Sequence, residues 1–378
     1  MSRPLVALVA LVGCAPPDPE RMFVHFELAI EDGEDAAADR FRAACDAAQD
    51  TLHVALPGGE NTDLADAIVD AYDRNVEVEV ITDYDLGASP AVTRLLDAGV
   101  PVALRDAGLT YFEFGQSADV AWSSDMTILS DAWVVQDATN IVFADRIGTG
   151  DDGARVVYEV RGEDVVDDLL REHNQLFGGT DATAVDAYNA PNKSILETRW
   201  RYGTTSDVEL QVWFGPQERL LKRVIDGVYS ARSSVWILTD DFSSEGLAAA
   251  LQDKAKWGFD VQVVVGPHFG DAEDELSRFL QNESPDVPVR QILDVQDVPT
   301  LVLIDYEDDL EGFRPMSQGM VLTHDLYSAA RLYRGQPVIT DQLIDGTMIT
   351  LTDVNEPSEP LLELVELFRA HFDRSEAL

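Results

Sequence analysis

The chain has 378 residues, with 27 Lys+Arg against 70 Asp+Glu and a formal net charge of −43. So few cations argue against a nucleic-acid-binding surface, which draws much of its affinity from Lys and Arg displacing counterions from phosphates. With 46% apolar residues and six tryptophans the acidity belongs to a folded body rather than a disordered tail, and the length suits two ordinary domains or one duplicated unit.

At the N-terminus, Ser2-Arg3-Pro4 lead into an apolar run, Leu5 to Gly13, that stops at Cys14. One positive charge, a short hydrophobic stretch and a small residue at the boundary predict a secretory signal, residues 1–13. Leu11-Val12-Gly13-Cys14 also resembles the lipobox of bacterial lipoproteins, which implies diacylation of the Cys14 thiol. That resemblance places the protein in the cell envelope, on the outer membrane or cell surface, with a membrane as partner through the lipid anchor. Three prolines between Pro16 and Pro19 make residues 14–22 a tether. With Cys14 acylated only Cys45 remains, so no intrachain disulfide is expected; Cys45 sits in an Ala-rich stretch and reads as a small core residue. No later segment is long and apolar enough to cross a bilayer.

From there the elements come twice. A helix over about 38–49 leads to a buried strand at 51–56, a helix at 62–73 and a strand at 76–82; 183 residues later the same series reads as a helix at about 217–231, a strand at 234–239, a helix at 245–257 and a strand at 259–265. Leu64, Ala65, Ala67 and Ile68 meet Leu247, Ala248, Ala250 and Leu251 in one ungapped register. Asn75 and Gly258 fall just past the helix ends, where a left-handed residue is commonly needed. Short strands follow at Val102–Leu104 and Val287–Val289, then at Thr127–Leu129 and Leu301–Ile304. Each copy closes with a strand and a helix, Val156–Val160 with 163–177, and Met348–Thr352 with 358–372. Helices alternating with short β-branched strands predict an α/β fold, two repeats packed as a pseudo-two-fold pair, in which connected strands run parallel. The repeats span 23–180 and 208–378, with a polar linker at 181–207.

The run Val76 to Asp83, the segment Leu95-Leu96-Asp97-Ala98-Gly99-Val100-Pro101-Val102, and Ile128 to Val135 followed by Asn140 resemble the phospholipase D superfamily. The resemblance implies two α/β repeats around one shared site, each contributing an HxKxxxxD motif. One His attacks phosphorus, the other protonates the leaving oxygen, and the two lysines hold the non-bridging oxygens. Here no His is followed by Lys two residues on. Anchored on Trp133 and Asn140, the first motif falls on Ser123, Asp125 and Ser130, or one residue later on Ser124, Met126 and Asp131. The second falls on Val298, Thr300 and Asp305. Neither register restores an imidazole or an ammonium, so hydrolysis by the family's mechanism is expected to be lost, and Asp305 is left with a structural role.

Other candidates are weaker. His324, 184 residues after Asn140, falls near the mouth of the pseudo-site and reads as a hydrogen-bonded turn His, with anion or metal binding beside Asp325 as the alternative. His53, opposite Trp236 of the other copy, reads as a satisfied buried His. Asp240-Asp241 with Asp83 and Asp85 lie after strands, where α/β proteins collect ligands, but carboxylates are so common here that no metal is assigned. The expectation is a phospholipase D-like envelope lipoprotein acting as a pseudoenzyme, without a cofactor and without nucleic acid, that binds a phospholipid or an envelope protein. The alternative is an active phosphodiesterase on phospholipid head groups with a rearranged site.

Overall fold

In a computed structural model of the chain, the described residues are 23–32, 36–56, 61–83, 89–105, 110–113, 116–119, 132–145, 154–177, 201–215, 218–240, 244–267, 280, 287–295, 298–306, 317–323, 325–326, 329–333, 336–340, 346–353 and 357–377. The first half runs β1 (Phe23–Asp32), α1 (Ala36–Ala47), β2 (Thr51–Leu56), α2 (Thr62–Asp73), β3 (Glu77–Asp83), α3 (Pro90–Ala98), β4 (Val102–Arg105), β5 (Thr110–Glu113), β6 (Gln116–Asp119), β7 (Trp133–Gln136), β8 (Asn140–Ala144), β9 (Ala154–Arg161) and α4 (Glu163–Phe177). After β10 (Tyr202–Thr204) the second half runs β11 (Val208–Phe214), α5 (Leu220–Ser230), β12 (Ser234–Thr239), α6 (Glu245–Lys256), β13 (Asp260–Val265), β14 (Val289–Gln291), β15 (Thr300–Ile304), β16 (Gln318–Leu322), β17 (Ala329–Tyr333), β18 (Gln336–Thr340), β19 (Thr347–Asp353), α7 (Glu359–Arg374) and β20 (Glu376–Ala377).

Sixteen strands form one sheet, in the order β20-β14-β13-β12-β15-β16-β19-β11-β10-β1-β9-β8-β7-β2-β3-β4. Read outward from β10, the first seven neighbours on each side correspond, which is the duplication seen in the amino-acid pattern; β20, beyond β14, has no counterpart among the described residues. Only β2-β3-β4 and β12-β13-β14 are parallel within their halves; β7-β8-β9 and β15-β16-β19 pair antiparallel. The expectation of parallel strands thus holds where helices connect them. Hairpin-linked strands pair antiparallel because a short turn can join no other kind.

The local reasons for these elements repeat as well. Asn61 caps α2 by accepting from the Leu64 amide at 2.9 Å, and Ser244, its counterpart, caps α6 by accepting from the Leu247 amide at 3.2 Å. Both helices end on a residue with positive φ, Asn75 at 68° and Gly258 at 83°, as predicted. Carbonyls at the end of α1, on Cys45 and on Ala48 just beyond it, take the guanidinium of Arg74; those at the end of α5, on Tyr229 and on Ala231 just beyond it, take the ammonium of Lys254 at 2.8 and 2.7 Å. Burial on one side of each helix then selects its partner. α1, α2 and α3 cover one face of the first half, and α5 and α6 cover the matching face of the second. The opposite faces, with α4 and α7, belong to a single core cluster that runs through both halves and includes Trp133 and Trp236.

Two expectations shift. The segment 127–129 lies outside the described residues, and the strand that pairs with β2 is β7, several residues later. The stretch read as a linker contains β10, which pairs in parallel with β1 (Phe23 with Gly203, Val24 with Thr204) and antiparallel with β11, joining the halves.

Candidate functional site

Strand pairing aligns the two repeats independently of any motif. Leu52 lies opposite Gln136, and its counterpart Val235 lies opposite Ile304, so Asp137 is the counterpart of Asp305. Both aspartates leave their strand in the left-handed region, at φ 51° and 64°. Asp137 accepts the amides of Gln49, Asp50 and Thr51 at 2.7 to 3.2 Å; Asp305 accepts those of Arg232 and Ser233 at 2.6 and 2.9 Å. Burial acts to raise the Asp137 carboxyl, but the amide bonds outweigh it and hold the group below its ordinary value. The acidic residue of each motif is therefore a brace between strand ends, the structural role expected of Asp305.

The two registers read from sequence are not equivalent under this alignment. The first has its His, Lys and Asp positions at Ser123, Asp125 and Ser130, or at Ser124, Met126 and Asp131, whereas the strand-paired equivalents of Val298, Thr300 and Asp305 are Ser130, Ala132 and Asp137. Residues 123–126, 130 and 131 lie outside the described residues, but Ala132 is described and fully buried. In the second repeat, Val298 and Thr300 are buried as well. The Thr300 hydroxyl lies 3.0 Å from a carboxylate oxygen of Asp325 and 3.3 Å from the Thr239 hydroxyl, and the Asp240 amide donates to the same Asp325 oxygen at 3.2 Å. A hydroxyl bound to a carboxylate stands where the family's motif would put an ammonium. The three described lysines serve elsewhere: Lys254 caps α5, Lys222 pairs with Asp226, and Lys256 lies 4.0 Å from Asp253.

Asn140 opens β8 opposite Gln136, and the same place in the second half belongs to Gln318 rather than to the His324 region. Asn140 and His324 are thus not equivalent, because the paired strands, not the count of residues, set the register. Cys14, Asp85, Asp241 and His324 lie outside the described residues. Asp83 and Asp240 end strands in different halves.

A different group does converge. In β2 and β3, His53 and Glu79 are paired neighbours, and α4 crosses them with His173. The His173 Nε2 lies 3.0 Å from Glu79 Oε2, and His53 Nε2 lies 3.7 Å from the same oxygen. The His53 and His173 rings meet edge-on with centroids 4.7 Å apart; Trp133 stands edge-on to His173 and Phe177 stacks on it. Burial pushes His53 down to about 4, with the charge of His173 acting in the same direction, and pushes His173 down to about 3; it raises Glu79. The Nδ1 atoms of both histidines have no hydrogen-bond partner among the described residues. Among the described residues, His53 thus lacks the hydrogen-bond partner expected of a satisfied core histidine and instead faces Glu79.

No protein-family model and no curated protein matches the chain. Among solved structures, phosphatidylserine synthase of Haemophilus influenzae Rd KW20 matches 96% of this chain over 88% of its own, at 13% identity and a TM-score of 0.61. Polyphosphate kinase of Porphyromonas gingivalis matches 99% of this chain at 11% identity and a TM-score of 0.58, and the chain spans about half, 51%, of that enzyme. Nuc of Salmonella typhimurium, described as a phospholipase D family member, covers 40% of the chain at 13% identity and a TM-score of 0.30. At such identities the likeness to the synthase speaks to the fold alone.

Proposed function

We propose, from the phospholipase D superfamily fold that this chain has, that it is a non-catalytic member of that fold, a pseudoenzyme carried on the cell envelope by a lipid at Cys14. One observation carries the reading. The Lys positions of the two motifs hold buried Ala132 and Thr300, and the second His position holds buried Val298. Phosphodiester transfer by the superfamily's mechanism needs an imidazole to attack, another to protonate, and cations where charge gathers in the transition state. Methyl, hydroxyl and isopropyl groups supply none of these. What remains is a two-repeat body for binding a phospholipid or another envelope protein. The fold does not choose between them: the two solved structures that match nearly the whole chain are a phosphatidylserine synthase and a polyphosphate kinase, enzymes of unlike chemistry.

The test is direct. The purified full chain, mixed with phospholipid vesicles or a chromogenic phosphodiester, is expected to release neither head group nor phosphatidate nor chromophore. Turnover that His324→Ala abolishes would overturn the reading in favour of a rearranged active site. Anchoring is tested apart from activity: Cys14→Ala should move the protein from the membrane to the soluble fraction, and unchanged fractionation would refute the lipid anchor.

A further inference from the structure

The two repeats provide an internal comparison that bears on the His53, Glu79 and His173 cluster. Strand register places Trp236 and Gln262 where the first half has His53 and Glu79. The repeat pattern of the closing helices places Phe368 where the first half has His173, and Phe372 where it has Phe177. In the second half these positions are filled without ionisable groups. Trp236 stacks on Phe368 with centroids 5.3 Å apart, Phe368 stacks on Phe372, and the indole N–H of Trp236 donates to Asp260 at 2.7 Å. The fold is thus content with an aromatic stack here. The first repeat instead places two imidazoles and a carboxylate in the same buried layer, at a desolvation cost that packing does not require.

We propose that His53, Glu79 and His173 form a binding site for one divalent transition-metal ion of the zinc class. Among the described residues this is the group of three whose ligand atoms converge, all within 4.8 Å of one another. Both imidazoles present Nε2 to one Glu79 oxygen, at 3.0 and 3.7 Å. Ligand atoms held about 2.0–2.1 Å from a tetrahedral zinc lie roughly 3.3 Å apart, so modest side-chain movements bring all three into range. Two His and one carboxylate suit zinc better than calcium or magnesium, which take oxygen ligands. The set leaves a fourth position for water. His173 is fully buried, while the His53 and Glu79 side chains are each 17% exposed, which gives an ion its way in. Since neither Nδ1 has a partner among the described residues, the affinity should be about 10- to 100-fold below that of sites whose histidines are braced by a second hydrogen bond.

The experiment uses the untagged full chain, stripped with a chelator and titrated with Zn²⁺ at neutral pH by calorimetry, with Co²⁺ absorption reporting coordination. The expected result is one ion per chain, a Co²⁺ spectrum of a four-coordinate site, and no competition from excess Mg²⁺ or Ca²⁺. His173→Phe, which copies the second repeat, should abolish binding; Glu79→Gln, nearly isosteric and copying Gln262, should weaken it at least tenfold while the protein stays folded. Binding that is absent, or that Glu79→Gln leaves unchanged, or that Mg²⁺ displaces, would overturn the proposal and leave the cluster a buried hydrogen-bonded group.

Discussion

Asp137 and Asp305 hold the same post in the two repeats, each turning its chain through a left-handed residue and binding the amides that open the neighbouring strand. Replacing Asp305 with Ala should cost about 1–3 kcal/mol, from lost charge-assisted bonds and from a Cβ residue held at φ 64° without a side-chain bond to support it. Asn, which tolerates that φ and keeps one acceptor oxygen, should cost clearly less. Urea denaturation of both variants measures the difference; equal losses would mean that the carboxylate does not brace the strands.

The helix caps yield a paired prediction. Asn61→Ala and Ser244→Ala should each destabilise by about 1 kcal/mol, and because the caps sit in different halves their effects should add in the double variant. A double variant far from the sum would show that the halves couple through these helices.

Acid should act on the first repeat in particular. His53 and His173 have folded values pushed below the ordinary 6.5, to about 4 and about 3, so the unfolded chain takes up their protons first as pH falls. Stability is therefore full above about pH 6.5 and declines as pH drops toward 4. Glu79, raised by burial, works the other way: the folded chain takes up its proton first, which offsets part of the loss at the acid end. A chain carrying His53→Trp and His173→Phe should lose most of this slope while keeping the background due to its many other carboxylates. Parallel pH profiles of the two chains would refute it.

Cys45 offers a probe of folding. Its thiol is buried, and desolvation first, with Asp46 adding to it, pushes it up to about 12, so almost no thiolate exists at neutral pH. Alkylation of Cys45 should proceed only through unfolding and should track denaturant concentration. Rapid labelling of the native protein would contradict its place in the core.

The duplicated part of the fold could be read from residues alone, because Leu64 to Ile68 and Leu247 to Leu251 keep one register and because Asn75 and Gly258 mark matching helix ends. β1 and β11 were legible in principle: Val24, Phe26 and Leu28 point inward at every second position, and β11 alternates in the same way. The two motif registers do not correspond under strand pairing, for a chemical reason. Once its His and Lys are gone, an Asp is all that marks the motif, and Asp131 and Asp137 are equally available in a chain with 70 acidic residues. The contact between His173 and Glu79 joins residues 94 apart through a helix crossing a sheet, which spacing cannot reveal. A signal for it existed in the comparison of copies: Trp236, Gln262 and Phe368 are less ionisable at each of the three places.

The short strand β10 has a mechanical meaning. Its parallel pairing with β1 rests on two residue pairs, Phe23 with Gly203 and Val24 with Thr204, whereas β1 and β9 share eight. Under tension across the boundary between the halves, the strip around β10, with two residue pairs to β1 and two to β11, should shear before the long ladders that flank it. The halves would then part along that strip with the eight-pair β1–β9 ladder and the seven-pair β11–β19 ladder still whole.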